Sequence, residues 1–232
     1  MAARSILGDI GHYRGERASR RGWALAAQDG IISTAGILLG FAGAGASERT
    51  MAIAGTSAIV AGMLTAGGAQ WSETAAQREA ELAAIVEERR EVREEWGAER
   101  AALVDYYAEK GLDAALAGEV TDALMRRSPL KAALESEHGI VRLTSVADVV
   151  LNGLGAAIAF GLGAAVPFAI AWYVPLRIEP PLIAFAVLVS LTMIAVVGAR
   201  AGGMDARRTL LRTLIVAGVT ILVSYAVGDA VY

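Results

Sequence analysis

Residues 23–45 read WALAAQDGIISTAGILLGFAGAG, an apolar run whose only charged residue is Asp29. Residues 51–71, MAIAGTSAIVAGMLTAGGAQW, carry no charge at all. A helix needs about 20 predominantly apolar residues to cross the hydrocarbon core of a bilayer, and each run meets that length. Three further runs, at residues 146–174, 181–197 and 210–227, bring the simplest count to five. The expected fold is therefore all-α: an integral membrane protein with five transmembrane helices. The first run is too long for the apolar core of a cleavable signal, and it follows a polar leader of about 20 residues.

The whole-chain figures agree with this reading. Of 232 residues, 55% are apolar and only 19% charged, and the mean hydropathy is +0.48, outside the range of ordinary soluble domains. The absence of cysteine excludes a disulfide framework, a thiolate zinc site and a cysteine nucleophile. A formal net charge of −3 gives no basic surplus for nucleic acid. No Gly-Lys-Ser/Thr step accompanies the glycine-rich GAGAS stretch, and no hydrolytic constellation occurs, so the chain is not expected to be an enzyme.

Lys and Arg near span ends are retained in the cytoplasm. The leader, the interval 73–145 and the segment between the fourth and fifth runs together hold 19 of these residues. Only Arg49 and Arg177 fall in the other two loops. This places the N-terminus and the large interval in the cytoplasm and the C-terminus on the opposite side, which an odd number of spans requires. The expected organisation is a cytoplasmic leader (1–22), spans one and two (23–72), a cytoplasmic helical insert (73–145) and spans three to five (146–232).

The insert holds 16 Asp and Glu against 10 Lys and Arg, on strong helix formers with a single proline, Pro129. Leu82, Ile85, Val92, Trp96 and Leu103 recur at three- and four-residue steps as one apolar stripe. Glu81, Glu88, Glu91, Glu95 and Glu99 stand on another face of the same predicted helix. A break is expected near Gly97, a helix C′ position at Gly111, an N-cap at Asp113, and a short last helix starting at Ser128-Pro129. The glutamates admit two readings. One is a solvated face partnered by Arg89, Arg90 and Arg93. The other is a cation site, because carboxylates four residues apart repel and a bridging cation removes that penalty. Oxygen ligands without thiolates suit Mg, Ca, Mn and, less selectively, ferrous iron.

Several blocks in order carry a resemblance. They are Gln28-Asp29-Gly30 with ISTAGILLGFAGAGAS after it, AGMLTAGGAQW leading into AAQREAE, EERREV, YYAEKGLDAALAGEVTDALM, and AFGLGAAVPF. In content and spacing they resemble the vacuolar iron transporter family, of which this chain looks like a divergent member. The resemblance implies transport of ferrous iron or manganese out of the cytoplasm by proton antiport. It also implies a homodimer whose acidic domain, between spans two and three, collects the ion as cargo rather than as a tightly bound cofactor. The family's pathway Asp matches Asp29, and its domain ligands match Glu88, Glu91, Glu99 and Glu137. Other expected ligands are replaced: Ala58, Ala66 and Gln70 stand in span two, and Ala102, Ala133 and Leu134 in the insert.

Asp29 sits about two turns into a span, where a charge costs several kcal/mol unless it is paired, hydrated or protonated, so a functional role is the default expectation. Its alternative is an Asp near the cytoplasmic end that snorkels or caps a broken turn. Asp148 and Asn152, one turn apart at the start of span three, are read as an interfacial N-terminal pair, with replacement ligands as the alternative. Met63 is read as packing. The steps Gly36/Gly40 and Gly198/Gly202 suit close helix approach, and His12 and His138 are too isolated to suggest a histidine-based site. The functions carried forward are a divalent-metal carrier and a membrane-anchored metal buffer or sensor with a decayed pathway. The Ala- and Arg-rich composition suggests a bacterial plasma membrane.

Overall fold

The structure, a computed structural model, describes the backbone of residues 2–174, 179–202 and 205–231, and the side chains of residues 19, 21–174, 181–197 and 205–231. Every regular element among them is a helix: α1 (Ala2–Gly43), α2 (Glu48–Glu94), α3 (Trp96–Glu109), α4 (Ala114–Arg127), α5 (Pro129–Glu137), α6 (Val146–Tyr173), α7 (Glu179–Gly202) and α8 (Ala206–Val231). The chain divides into two compact units. One contains Thr74–Val146 and the start of α1; the other contains Arg14–Glu73 and Ala147–Tyr232. Helix α2 contributes to both.

In the second unit, four helices among the described residues are long and apolar enough to cross a membrane: Arg21–Gly43 within α1, the apolar part of α2, α6 and α8. The described apolar part of α7, Pro181–Val197, is shorter. The core is built around α1. Ile31, Ala35 and Leu38, with Ile32 and Leu39, recur at helical spacing and bury against Met51, Ile183, Val187, Leu191 and Ala217. The large residues that remain exposed on a single chain, among them Leu64, Leu154, Leu162 and Leu222, give the outer surface the character of hydrocarbon.

Small residues set how closely these helices approach. A Cβ at Gly163 would collide with the Ala27 carbonyl, and one at Gly30 with the Phe160 carbonyl, so α1 and α6 meet backbone to backbone. The Gly36/Gly40 step packs on Ser224 of α8, and Gly228 packs on the Gly40 carbonyl. Gly67 and Gly153 do the same for α2 and α6, while Met63 packs on Gly161, in keeping with its reading as packing. The Gly198/Gly202 step lies outside the residues whose packing is described.

In the other unit α3, α4 and α5 pack on one another, around Val92, Leu103, Met125, Ala132 and Ala133. The expected end signals are present. Gly111, at φ +97°, follows the α3 C-terminus. Asp113 Oδ1 accepts from the Leu116 N–H at 2.9 Å, and Pro129 opens α5. The helix break comes at Glu95, two residues earlier than expected, and Gly97 lies in the first turn of α3. The apolar stripe is therefore not one continuous face. Val92 and Leu103 enter the core, whereas Leu82 and Trp96 stay exposed. Glu81 accepts from the Thr144 N–H and hydroxyl at 2.6 and 2.8 Å, and Arg78 donates to the Thr144 carbonyl at 3.0 Å. This fastens the segment entering α6 to α2 and gives Glu81 a structural partner.

Candidate metal centre

The break at Glu95 creates the site. Glu88 and Glu99 are eleven residues apart, and on one straight helix they would be separated by roughly 16 Å along the axis. Here one carboxylate oxygen from each of Glu88, Glu91 and Glu99 lies within 4.8 Å of the others. The expectation that these glutamates share a face of one helix is corrected: Glu88 and Glu91 belong to α2, Glu99 belongs to α3, and Glu95 stands at the junction.

Burial separates these glutamates from a solvated face. Glu88 has 0% exposure and Glu99 7%, and Glu88 Oε1 and Glu99 Oε2 are buried with no hydrogen-bond partner. Of the expected arginine partners, Arg90 reaches only the half-buried Glu91, at 3.7 Å, and the exposed Glu87, at 3.3 Å, while Arg93 donates to the Arg89 carbonyl; among the described residues no arginine pairs with Glu88 or Glu99. An unpaired carboxylate costs several kcal/mol to bury, so this arrangement favours either a proton or a cation. Partial burial, and then the Glu88 charge, push Glu99 up to about 7. A shared proton or a divalent ion both relieve three carboxylates packed together, and only the ion satisfies several oxygens at once.

Glu137, the last residue of α5, joins from a third element. Its oxygen, one from Glu88 and a ring nitrogen of His138 form a second group within 4.8 Å, with Glu88 common to both. Burial and the Glu88 charge raise the Glu137 pKa, while His138 pulls it down. His138 Nε2 donates to Glu88 Oε2 at 3.2 Å. A lone histidine carries no spacing signal, so His138 was not legible as part of the centre. The one available hint was its adjacency to Glu137. His12 lies outside the described side chains. Ala133 and Leu134 are buried and supply no ligand atom, and Ala102 faces solvent.

Asp29 belongs to the membrane unit. It is exposed on the single chain and lines an open groove between α1 and α8 with Leu25, Gln28, Ile32, Ser33, Val216 and Thr220. Gln28 Nε2 donates to Thr213 of α8 at 2.9 Å, and the Ser33 hydroxyl donates to the Asp29 carbonyl at 2.7 Å. Four of the seven lining residues, Gln28, Asp29, Ser33 and Thr220, are polar. In α2, Ala58 and Ala66 offer no ligand atom, and Gln70 Nε2 donates to Glu73 at 3.3 Å. Asp148 and Asn152 are half-buried.

Helical throughout its described residues and with several helices of membrane length, the chain has the architecture of an integral membrane protein. The VIT family model matches residues 21–229. The chain therefore belongs to the VIT family, the vacuolar iron transporters, and is an integral membrane protein of a family of divalent-metal transporters. No curated protein matches it.

Proposed function

We propose that this chain moves ferrous iron or manganese out of the cytoplasm in exchange for protons. The observation that carries the reading is the convergence of Glu88, Glu91 and Glu99 around a buried oxygen that has no partner. In this reading Glu88, Glu91, Glu99 and Glu137 receive the ion from the cytoplasm, and Asp29 holds an ion or a proton on the way across. Residues 73–145 form the cytoplasmic receiver. In this reading α7 counts as a fifth span and the C-terminus lies on the far side, which the 19-to-2 division of Lys and Arg supports. The chain acts as a carrier rather than an enzyme, works as a homodimer in a bacterial plasma membrane, and holds the metal as cargo.

The span-two positions favour a second reading. With Ala58, Ala66 and Gln70 where relatives are expected to place ligands, the pathway is poorer in donor atoms than the receiver. A membrane-anchored buffer or sensor would retain the acidic centre and lose the flux. Metal uptake into proteoliposomes, with and without an imposed pH gradient, separates the two. The carrier reading expects gradient-driven accumulation of ferrous or manganous ion. Saturable binding with no accumulation selects the buffer.

A further inference from the structure

The centre contains one nitrogen donor among its described residues, and the helix end that carries it is built to hold it. His138 is the C-cap of α5, with its N–H on the Leu134 carbonyl at 3.2 Å. Gly139 follows at φ +65°, and the Ile140 N–H returns to the same carbonyl at 3.0 Å. A left-handed glycine with this six-residue return bond is a tight helix stop, and it determines where the next side chain back is presented. The His138 ring is thereby set beside Glu88 and Glu137, one ligand atom of each lying within 4.8 Å of the others.

A hydrogen-bonding role for His138 accounts for only half of Glu88. The ring satisfies Oε2, while Oε1 stays fully buried with no partner. A cation held between Glu88, Glu137 and the ring would supply the charge that this buried carboxylate lacks. The imidazole bears on which cation. Oxygen-only sites suit Mg, Ca and Mn, whereas imidazole suits Fe, Ni, Cu and Zn. Ala133 and Leu134 contribute no donor atom, so His138 alone among the described side chains brings borderline-soft character to the centre.

We propose that His138 Nε2 is a metal ligand, together with the Glu88 and Glu137 carboxylates, and that it makes the centre prefer imidazole-accepting transition ions to calcium and magnesium. The proposal rests on the reading of the acidic unit as a metal receiver and adds a selectivity-determining residue to it. In the metal-free chain Nε2–H holds Glu88 Oε2; with an ion bound the ring proton sits on Nδ1 instead, so Nε2 exchanges that hydrogen bond for a lone-pair bond to the ion, and Glu88 is common to this group and to the Glu91/Glu99 group.

The test uses the full chain in detergent, with Mn2+ and Co2+ as probes and Ca2+ as competitor. It compares wild type with His138→Gln, which keeps an N–H donor for Glu88 Oε2 but offers no imidazole. Pulsed EPR of bound Mn2+ is expected to show 14N coupling in wild type and none in the variant. Co2+ affinity is expected to fall about tenfold or more while Ca2+ affinity changes less than about twofold. Saturable Mn2+ binding without 14N coupling in wild type overturns the ligand assignment and leaves the receiver reading standing. An equal loss of Co2+ and Ca2+ affinity in His138→Gln makes the histidine structural and also overturns it. No saturable binding of any probe overturns both readings together.

Discussion

In the unit built on α3, α4 and α5, carboxylates are buried while part of the apolar stripe is left out. Glu88 and Glu99 lie inside, and Leu82, Val86 and Trp96 are exposed. Around α1 in the membrane unit the preference runs the other way. Ile31, Ala35 and Leu38 are buried on the same helix that leaves Asp29 open to a groove. A chain folding only for stability keeps charges out and apolar groups in, so the acidic unit works against itself unless something positive completes it. Its misfit is local, confined to the few oxygens that face one another. Among its described residues the membrane unit shows no comparable crowding of acids: its groove has one carboxylate, Asp29, beside Gln28, Ser33 and Thr220 and three apolar side chains.

The comparison breaks most visibly at Asp29. Asp29→Asn keeps size and hydrogen bonding but removes the titratable charge. It is expected to abolish pH-driven metal flux in proteoliposomes while leaving metal binding by the acidic unit within about twofold of wild type. Equal flux with the same pH dependence would make Asp29 structural and move attention to Asp148. Glu88→Gln should act on the other region with two opposite signs. Metal affinity of the full chain falls on the order of 100-fold, because both ligand groups share this residue. Metal-free stability rises, since a buried charge among like charges is removed. Calorimetric titration and apo thermal unfolding check the two arms, and a variant destabilised without metal would contradict the buried-charge account.

Much of the fold could be read from the sequence because its signals are local. The apolar runs announce the membrane helices of α1, α2, α6 and α8, and Gly111, Asp113 and Pro129 mark helix ends within a residue or so. The glutamates were legible as candidates, but their geometry was not. Periodicity assumes a continuing helix, and the interruption between Glu91 and Glu99 falls at Glu95, a residue type with no breaker chemistry, rather than at Gly97 two residues on. Because the break falls between Glu91 and Glu99, Glu99 on α3 can meet Glu88 on α2. His138 was hidden for a related reason: contact across 50 residues depends on how α5 packs, which no spacing rule encodes. Asp29 was easy to single out as an acid in an apolar run, yet its place at an open groove rather than in a packed interior follows only from the neighbouring α8.

A pH titration sharpens the contrast at a smaller scale. Burial and the Glu88 charge raise Glu99 from an ordinary 4.5 to about 7. A carboxyl whose folded pKa lies above its unfolded value stabilises the fold fully below the lower value, and this contribution is lost as pH rises through the upper one. The contribution of Glu99 to the metal-free acidic unit is therefore expected to be fully present below about pH 4.5 and to be lost as pH rises through about 7. Metal binding needs the ionised form, so affinity should rise over the same interval and reverse the trend in the loaded protein. Apo and metal-loaded unfolding followed from pH 5 to 8 checks the crossing. Parallel curves would mean that protons and metal do not compete at this centre.

The smallest effects concern helix packing within the membrane unit, where stability comes from close contact rather than charge. A methyl group at Gly163 meets the Ala27 carbonyl, an atom of the α1 backbone that cannot rotate away. Gly163→Ala must therefore push α1 and α6 apart and should cost about 1–3 kcal/mol as overpacking. Gly218 on α8 provides the control, since a methyl there has no neighbour within 4 Å. Gly218→Ala only exchanges a poor helix former for a good one, worth at most about 1 kcal/mol in the stabilising direction. Thermal unfolding of both variants in detergent should thus move in opposite directions, with metal affinity of the acidic centre the same in each. If Gly163→Ala unfolds at the wild-type temperature, α1 and α6 are not held at backbone contact.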